Sequence, residues 1–165
     1  MKFALAADIA AGLIVLEETA STNDDLVSRA AERLLPEFTV VVTTTQTAGR
    51  GRLGRIWEAP PGTALATSVL LHPQDASVDR DIYGWIPLIG GLAMSRAVRQ
   101  LVPDRQVSLK WPNDVLIEGK KVCGLLCELL PDGSVVVGAG VNLTIPDDAL
   151  PVPHATSLML VGVPG

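Results

Sequence analysis

The residues of this sequence best suited to chemistry lie in a stretch rich in glycine and arginine. Three of the thirteen basic residues, Arg50, Arg52 and Arg55, fall within six positions, and no Asp or Glu occurs from residue 38 to residue 57. Glycine lets the backbone approach a ligand closely, and guanidinium groups bind phosphate or carboxylate oxygens in a bidentate way. The stretch predicts an anion site, and the alternative is an exposed basic loop without a partner.

The glycines at positions 49, 51 and 54 also fit the G-x-G-x-x-G pattern of dinucleotide-binding turns. That pattern requires a helix directly after it and an acidic residue about 20 positions further on. Residues 56–62 end in Pro60-Pro61-Gly62 and cannot propagate a helix, and no acid lies between Glu58 and Asp75. A Rossmann-type site is therefore excluded, and the G-x-x-x-x-G-K-[ST] phosphate loop is absent.

A second candidate site is the block that begins at Lys110. The lysine ends a predicted strand, and Trp111-Pro112 directly after it favours a cation held in a fixed place. Asn113 and Asp114 add an amide and a carboxylate, which suit ribose, phosphate or Mg²⁺ contacts. A tight turn capped by Asn-Asp explains the same residues equally well.

A third block, Gly138-Ala139-Gly140-Val141-Asn142, ends a strand with small residues and one amide. Glycine in a strand often relieves crowding against a neighbouring element, and that is the simpler interpretation. The other is that the backbone approaches a ligand to which Asn142 is hydrogen-bonded.

The elements that position these blocks can be read from the order of hydrophobic runs. Residues 13–16, 39–45 and 63–71 are predicted strands, and residues 1–16 are expected to form an N-terminal turn and strand. Capping side chains at 21–25 begin a helix that we expect Pro36 to end, and residues 81–102 predict a longer helix.

After Pro103 the chain alternates hydrophobic runs with turn residues. The runs cover 107–111, 115–128 and 134–143, with turns at Glu118-Gly119 and at Pro131-Asp132-Gly133. Successive antiparallel hairpins follow from this pattern. We therefore predict an α+β fold, with a mixed, largely antiparallel sheet flanked by helices. The loop from 46 to 62 is long for a compact domain, and loops of that length are usually functional or disordered.

Composition limits the class of protein. A length of 165 residues suits a single domain, 1–165, and a net charge of −5 argues against a protein that coats nucleic acid. Two cysteines and two distant histidines are too few for a structural zinc site. Cys123 and Cys127 lie about 13 Å apart along a predicted strand, too far for a disulfide. We expect a reduced, cytoplasmic protein.

Two apolar segments raise the question of a membrane or a signal peptide. Residues 1–16 faintly resemble a secretory signal, but Asp8 interrupts the apolar run. Residues 83–102 contain Pro87, Arg96 and Arg99, whereas a spanning helix needs about 20 apolar residues without charges. We expect no membrane segment.

Taken together, five blocks resemble the biotin protein ligase family in residue identity, order and spacing, from Leu13 to Leu158. They are Ser21-Thr22-Asn23, residues 46–57, Lys110-Trp111-Pro112-Asn113-Asp114, residues 121–128 and residues 138–142. The resemblance implies the family's catalytic domain and its two-step reaction. In the first step biotin and ATP form biotinyl-5′-AMP and pyrophosphate, and in the second a lysine of a carrier domain takes the biotinyl group.

The resemblance also implies roles for individual residues. The biotin site would be formed by Ser21, Thr22, Asn23, Gln46, Arg50, Gly51, Arg52, Lys110 and Gly124. The ATP site would be formed by Arg52, Arg55, Trp57, Lys110, Asn113 and Asn142. Lys110, Arg50 and Arg52 would act in catalysis by neutralising charge on the α-phosphate. Asp114 would help to hold Mg²⁺.

The family's partner is the biotin carboxyl carrier domain of acetyl-CoA carboxylase or a similar biotin-dependent enzyme. About twenty residues precede the Ser-Thr-Asn block, so no DNA-binding domain is expected, and a homodimer is left open. The family's catalytic domain ordinarily continues past Leu158 into further helix and a small β-domain. The sequence is therefore expected to stop short of that domain.

Two other functions remain open on the residues alone. A lipoate or octanoate ligase would share the fold and a lysine in a similar role, but its pocket would have to admit a longer apolar chain. A biotin-binding domain without turnover would keep the pocket alone. A nucleic-acid module is disfavoured by the single basic stretch and by the few aromatic residues available for stacking.

Overall fold

The structure is a computed structural model that describes residues 3–73 and 80–164, with the side chains of 80–82 left out. Its α-helices are α1 (Ala4–Ile9), α2 (Thr22–Glu32) and α3 (Ile86–Leu101). Its strands are β1 (Gly12–Val15), β2 (Thr39–Thr43), β3 (Gly49–Arg50), β4 (Ile56–Trp57), β5 (Ala64–Leu71), β6 (Val107–Lys110), β7 (Asp114–Ile117), β8 (Lys120–Leu129) and β9 (Val135–Asn142).

Seven of these strands form one sheet in the order β1-β2-β5-β9-β8-β7-β6. β1 and β2 are parallel, and the remaining neighbours are antiparallel. The predicted α+β fold with a mixed, largely antiparallel sheet is confirmed, as are the successive hairpins from β6 to β9. At the first turn Glu118 has a φ of 49° and Gly119 a φ of 78°, and two positive φ values match a two-residue hairpin turn.

α2 and α3 cover opposite faces of the sheet, because successive residues of β9 point to opposite sides. A Cβ built on Gly138 would meet Asn23 of α2, whereas the Val137 side chain lies against Gly90 of α3. Each helix packs on the sheet through its own hydrophobic core. Leu26 of α2 belongs to one cluster with Leu70 of β5, and Val98 of α3 belongs to the other with Leu125 of β8.

The structure corrects four of the sequence predictions. A helix, α1, precedes β1 where a turn and strand were expected, although Met1 and Lys2 lie outside the described residues. The predicted loop 46–62 contains the two-stranded hairpin of β3 and β4. The α-helix of 81–102 begins only at Ile86, after a 3-10 segment, because Pro87 fits a first helical turn. α2 ends before Pro36, because Arg33 is already extended.

Both cysteines are free thiols, as predicted. Burial raises the pKa of Cys123 to about 12 and that of Cys127 to about 11. In the described part of the chain, no helix is long and apolar enough to cross a membrane.

The first prediction concerns the core under α2. Leu26→Ala removes a side chain that is 0% exposed, so we expect it to lower the free energy of unfolding by about 2–5 kcal/mol. The matched control is Leu34→Ala, where the side chain is 92% exposed and the expected change is within about 0.5 kcal/mol. Urea denaturation measures both, and equal losses would contradict the placement of α2.

The second prediction concerns the thiols. Because the folded pKa of each thiol lies above the ordinary value of about 8.5, ionisation favours the unfolded chain, and stability should fall as pH rises above about 9. Iodoacetamide at pH 8 should alkylate both thiols far more slowly in the native chain than in urea. Equal alkylation rates in the two states would contradict the burial.

Candidate active site

A cavity of about 650 Å³ opens on the face of the sheet that α2 covers. All fourteen residues singled out from the sequence line it: Ser21, Thr22, Asn23, Gln46, Arg50, Gly51, Arg52, Arg55, Trp57, Lys110, Asn113, Asp114, Gly124 and Asn142. They come from the start of α2, the segment 46–57 that contains the β3–β4 hairpin, the β6–β7 turn, β8 and β9. The structure therefore brings residues up to 121 positions apart in sequence to one place.

The floor of the cavity is a strip of β9 without side chains. A Cβ on Gly138 would lie 2.2 Å from Asn23 Oδ1, and a Cβ on Gly140 would lie 2.5 Å from Trp57 Cε2. Real Cβ atoms essentially never come this close to another atom, so a side chain at either position would have to displace Asn23 or Trp57. The simpler interpretation of this block applies: the glycines admit side chains of the protein itself.

Asn142, at the end of the same strand, is buried, and its Nδ2 donates to the carbonyl oxygen of Thr156 at 2.9 Å. Its predicted contact with the nucleotide stays a prediction.

Neutral hydrogen-bonding groups cluster at the start of α2. Ser21 caps the helix and accepts from the backbone N–H of Asp24 at 3.4 Å. The backbone N–H of Thr22 donates to Gln46 Oε1 at 2.7 Å, and Thr22 Oγ1 lies 3.1 Å from the same oxygen. Two donors on that oxygen fix the orientation of the Gln46 amide. Within the described residues its Nε2 group has no hydrogen-bond partner, so it can donate to a ligand.

Asn23 is held on all sides by the protein. Its Oδ1 accepts from Ser68 Oγ at 2.6 Å, and its Nδ2 donates to Glu128 Oε1 at 2.7 Å and to the Leu126 carbonyl at 3.3 Å. Ser68 also lies 2.8 Å from Thr22 Oγ1. These bonds join α2 to β5 and β8, so Asn23 shapes the pocket through its neighbours.

The hairpin carries its basic residues in different surroundings. Arg50 donates to both oxygens of Glu128, at 2.7 and 2.8 Å, and to Asp24 Oδ1. The hydrogen bond with Glu128 is the main cause that raises the pKa of Arg50. The Arg52 guanidinium lies 3.4 Å from Asn113 Oδ1, a long hydrogen bond. At the tip, Leu53 has a φ of 59° and is 88% exposed.

Three cations at the cavity have no counter-charge: Lys110, Arg52 and Arg55. Lys110 ends β6, Arg52 follows β3 and Arg55 precedes β4, and all three side chains are exposed. Among the residues that the structure describes, none of the three pairs with a carboxylate. In a chain with a net charge of −5, these cations give the cavity a local positive potential, which favours an anionic ligand.

Asp114 is already paired, because its Oδ1 lies 2.7 Å from Lys121 Nζ. Over residues 3–73 and 80–164 no group of three or more His, Cys, Asp or Glu side chains could hold a metal ion. The described residues alone therefore form no all-protein metal cage, and the predicted role of Asp114 in holding Mg²⁺ together with the ATP phosphates stays a prediction.

Sequence reasoning missed several groups that hold the site. Ser68 was read only as a strand residue and Glu128 only as part of a motif, because their partners lie 45 or more positions away in sequence. Lys121 was read only as part of the same motif, and its ion pair with Asp114 depends on the pairing of β7 with β8. Part of the wall is formed by Pro151, Val152, His154 and Ala155, a segment held there by the hydrogen bond from the Lys121 backbone N–H to the His154 carbonyl oxygen at 2.8 Å. That segment has no periodicity, and nothing in its sequence signals the contact.

The fold and the cavity place this chain in a known class. The family model described as the biotin/lipoate A/B protein ligase family matches residues 15–144. The chain therefore belongs to the biotin/lipoate A/B protein ligase family.

Individual relatives are biotin ligases. The chain is 41% identical to the biotin–[acetyl-CoA-carboxylase] ligase of Mycobacterium tuberculosis over 153 residues. This match covers 92% of the present chain and 56% of the Mycobacterium protein. The biotin protein ligase of Leishmania major in complex with biotinyl-5-AMP matches with a TM-score of 0.76 and 32% identity, over 90% of this chain and 64% of that one. The Aquifex aeolicus biotin protein ligase in complex with biotin and ATP matches with a TM-score of 0.72 and 36% identity, over 90% of this chain and 60% of that one. The chain spans a little over half the length of the curated relative.

The third prediction tests the floor of the cavity. Gly140→Ala should push the Trp57 indole away from β9, red-shift the tryptophan emission and cost about 1–3 kcal/mol of stability. In a Trp57→Phe background the red shift should be absent. Gly12→Ala is the matched control, since its Cβ would lie 3.5 Å from Thr39 Oγ1, an ordinary contact. An unchanged emission in Gly140→Ala would show that Trp57 does not lie against β9.

Proposed function

We propose that this chain is the catalytic part of a biotin–[acetyl-CoA-carboxylase] ligase. It joins biotin to ATP as biotinyl-5′-AMP and passes the biotinyl group to a lysine of a biotin carboxyl carrier domain. The observation that carries the proposal is that a single cavity combines fixed neutral hydrogen-bonding groups with uncompensated cations. The relatives' names and the biotin, ATP and biotinyl-5-AMP complexes of the solved neighbours support the same ligands.

The neutral groups suit the ureido ring of biotin, which offers N–H donors and a carbonyl acceptor. The Gln46 amide is oriented by Thr22 and keeps its Nε2 donor available. Gly51 and Gly124 leave backbone exposed along the same cavity. Binding a neutral ring with such groups gives orientation without the cost of burying a charge.

The cations suit the reacting groups. In the first step the biotin carboxylate attacks the α-phosphorus, a new O–P bond forms, and the bond to pyrophosphate breaks. Two anionic groups must touch, so Lys110 and Arg52 would neutralise their charge, while Arg55 would bind the departing phosphates. Trp57 would stack on adenine, and Asn113 and Asn142 would bind the nucleotide. Holding both substrates in one cavity supplies proximity as well.

In the second step the neutral lysine amine of the carrier attacks the biotinyl carbonyl. An amide C–N bond forms, AMP leaves with the electron pair of its oxygen, and the amine gives up one proton. We propose that the carrier domain reaches the cavity past the exposed side chains of Trp111 and Ile56, which are 76% and 73% exposed.

Mg²⁺ would enter with ATP, whose phosphates supply most of its ligands. Because Asp114 is paired with Lys121, we assign no step to a protein-bound metal. The negative net charge supports the absence of a DNA partner, and the free thiols suit a reducing compartment such as the cytoplasm.

Biotin-dependent exchange of labelled pyrophosphate into ATP tests the proposal, with lipoate and octanoate as control acids. Exchange with biotin alone is the expected result. Exchange with lipoate or octanoate would move the activity to the other branch of the family. Stoichiometric biotin binding without exchange would mean that the chain binds biotin but does not turn it over.

The fourth prediction tests the charge of Lys110. Lys110→Ala should slow exchange by roughly 10²–10³, because a preorganised charge at the α-phosphate is lost. Lys120→Ala is the matched control, since that side chain is exposed and lies outside the cavity lining, and its rate should stay within about twofold. A rate for Lys110→Ala within about threefold of wild type would remove Lys110 from the mechanism.

A further inference from the structure

A chain of side-chain hydrogen bonds runs from β8 through β5 to the start of α2. Asn23 Nδ2 donates to Glu128 Oε1 at 2.7 Å and to the Leu126 carbonyl oxygen at 3.3 Å. Asn23 Oδ1 lies 2.6 Å from Ser68 Oγ, which in turn lies 2.8 Å from Thr22 Oγ1. Thr22 lines the cavity, whereas Ser68 is 0% exposed and lies behind it, outside the lining.

The direction of these bonds is fixed at the buried end of the chain. A carboxylate and a carbonyl oxygen only accept, so the amide nitrogen of Asn23 faces Glu128 and its amide oxygen faces Ser68. An amide oxygen also only accepts, so Ser68 gives its single hydroxyl proton to Asn23. No proton of Ser68 is then left for Thr22, and the 2.8 Å contact between the two hydroxyls is a hydrogen bond that Thr22 donates.

The proton count decides what Thr22 can offer to a ligand. Its only hydroxyl proton is committed to Ser68, and the longer contact of 3.1 Å with Gln46 Oε1 shares that same proton. Thr22 Oγ1 therefore meets the cavity as an acceptor that needs a donor, close to the Nε2 donor of Gln46. A cyclic urea supplies an N–H next to a carbonyl oxygen. The dithiolane ring of lipoate has no N–H and would leave the Thr22 oxygen without a partner.

We propose that Ser68 is a positioning residue that gives the ligase its specificity for a ureido acid. By accepting the proton of Thr22, Ser68 keeps that hydroxyl as an acceptor for a ureido N–H and as a barrier to rings that present an oxygen there. Ser68 lies outside the cavity lining, so it acts through Thr22. The inference rests on the proposed function for the identity of the ligand, whereas the direction of the hydrogen bonds is a property of the chain alone.

The test uses two analogues of biotin, each a cyclic carbamate in which oxygen replaces one of the two ureido N–H groups. Calorimetric titration gives the Kd of biotin and of both analogues for the wild type and for Ser68→Ala. In the wild type one analogue should bind about a hundredfold weaker than biotin, because its ring oxygen faces an oxygen that cannot donate. In Ser68→Ala only the long contact with Gln46 competes for the Thr22 proton, so this ratio of Kd values should fall about tenfold.

The ratio of Kd values separates this role from a merely structural one. A looser pocket weakens biotin and its analogues by the same factor, so an unchanged ratio in Ser68→Ala would overturn the proposal. A wild type that binds both analogues as tightly as biotin would overturn it as well.

Ser157→Ala is the matched control for a lost buried hydrogen bond. Ser157 is also 0% exposed, and its hydroxyl donates to the carbonyl oxygen of Ile145 at 2.8 Å. We expect Ser157→Ala to keep the wild-type ratio. A fall equal to that in Ser68→Ala would contradict a role specific to Ser68.

Two further variants keep the test decisive. In a Thr22→Val background no hydroxyl remains to respond to Ser68, so adding Ser68→Ala should leave the ratio unchanged. A further fall in that background would mean that Ser68 does not act through Thr22. Ser68→Cys nearly keeps the volume of serine and serves if Ser68→Ala does not fold. Its thiol is a weak acceptor, so the ratio should fall in the same direction, by about threefold or more.

Urea denaturation of the chain without ligand tests the bond between the two hydroxyls. Because Thr22→Val and Ser68→Ala remove the same hydrogen bond, the double variant should lose clearly less stability than the sum of the two single losses. Additive losses would show that Thr22 does not donate to Ser68 and would overturn the proposal. If the wild type neither binds biotin nor supports exchange with it, the proposed function fails, whereas this comparison still decides the network because it contains no ligand.

Discussion

The absence of side chains at Gly138 and Gly140 is the constraint on which the rest of the site depends. β9 lies in the middle of the sheet, between β5 and β8, and a Cβ at either glycine would collide with the protein itself. The bare strip lets Asn23 lie directly on the strand, and α2 is thereby held close to the sheet. It also lets the Trp57 indole lie against the strand, which brings the β3–β4 hairpin over the cavity.

From this constraint follows a division between side chains that build the site and side chains that remain for a ligand. Asn23, Ser68 and Glu128 use their polar atoms on one another and on the backbone, and the Asp114–Lys121 pair is likewise internal. Lys110 and Arg55 have no such partners within the described residues. An acidic chain can therefore attract anionic substrates without a large basic surface, because the uncompensated cations lie at the cavity and nearby charges weigh most in its local potential.

Much of the fold could be predicted because its signals are local. The β-branched run of β2 and the turn residues at Glu118-Gly119 each act within a few positions. The helix α1 could not be predicted, because it has no capping side chain and none of its residues is buried. The β3–β4 hairpin inside the predicted loop 46–62 was missed because each of its strands has two residues, too few to show a periodicity.

The candidate site likewise has a part that the sequence predicts and a part that it does not. The residue types of the Gly-Arg stretch and of the Lys110 block point to anion chemistry on their own, and the structure brings both to one cavity. The spacing of residues in the sequence could not reveal which of these cations is paired with a carboxylate. Arg50 and Glu128 are 78 positions apart, and Ser68 is 45 positions from Asn23, so their pairing depends on the register of the sheet. For this reason Arg50 and Arg52 look equivalent in the sequence and differ in the structure.

The central claim is that one cavity of this chain holds biotin and a nucleotide side by side. Calorimetric titration of the chain with biotinyl-5′-AMP, biotin and AMP tests it most directly. A shared cavity predicts one-to-one binding of biotinyl-5′-AMP at least about a hundredfold tighter than either half, because the linked ligand loses its translational freedom once. An affinity no tighter than that of the better half would contradict the account.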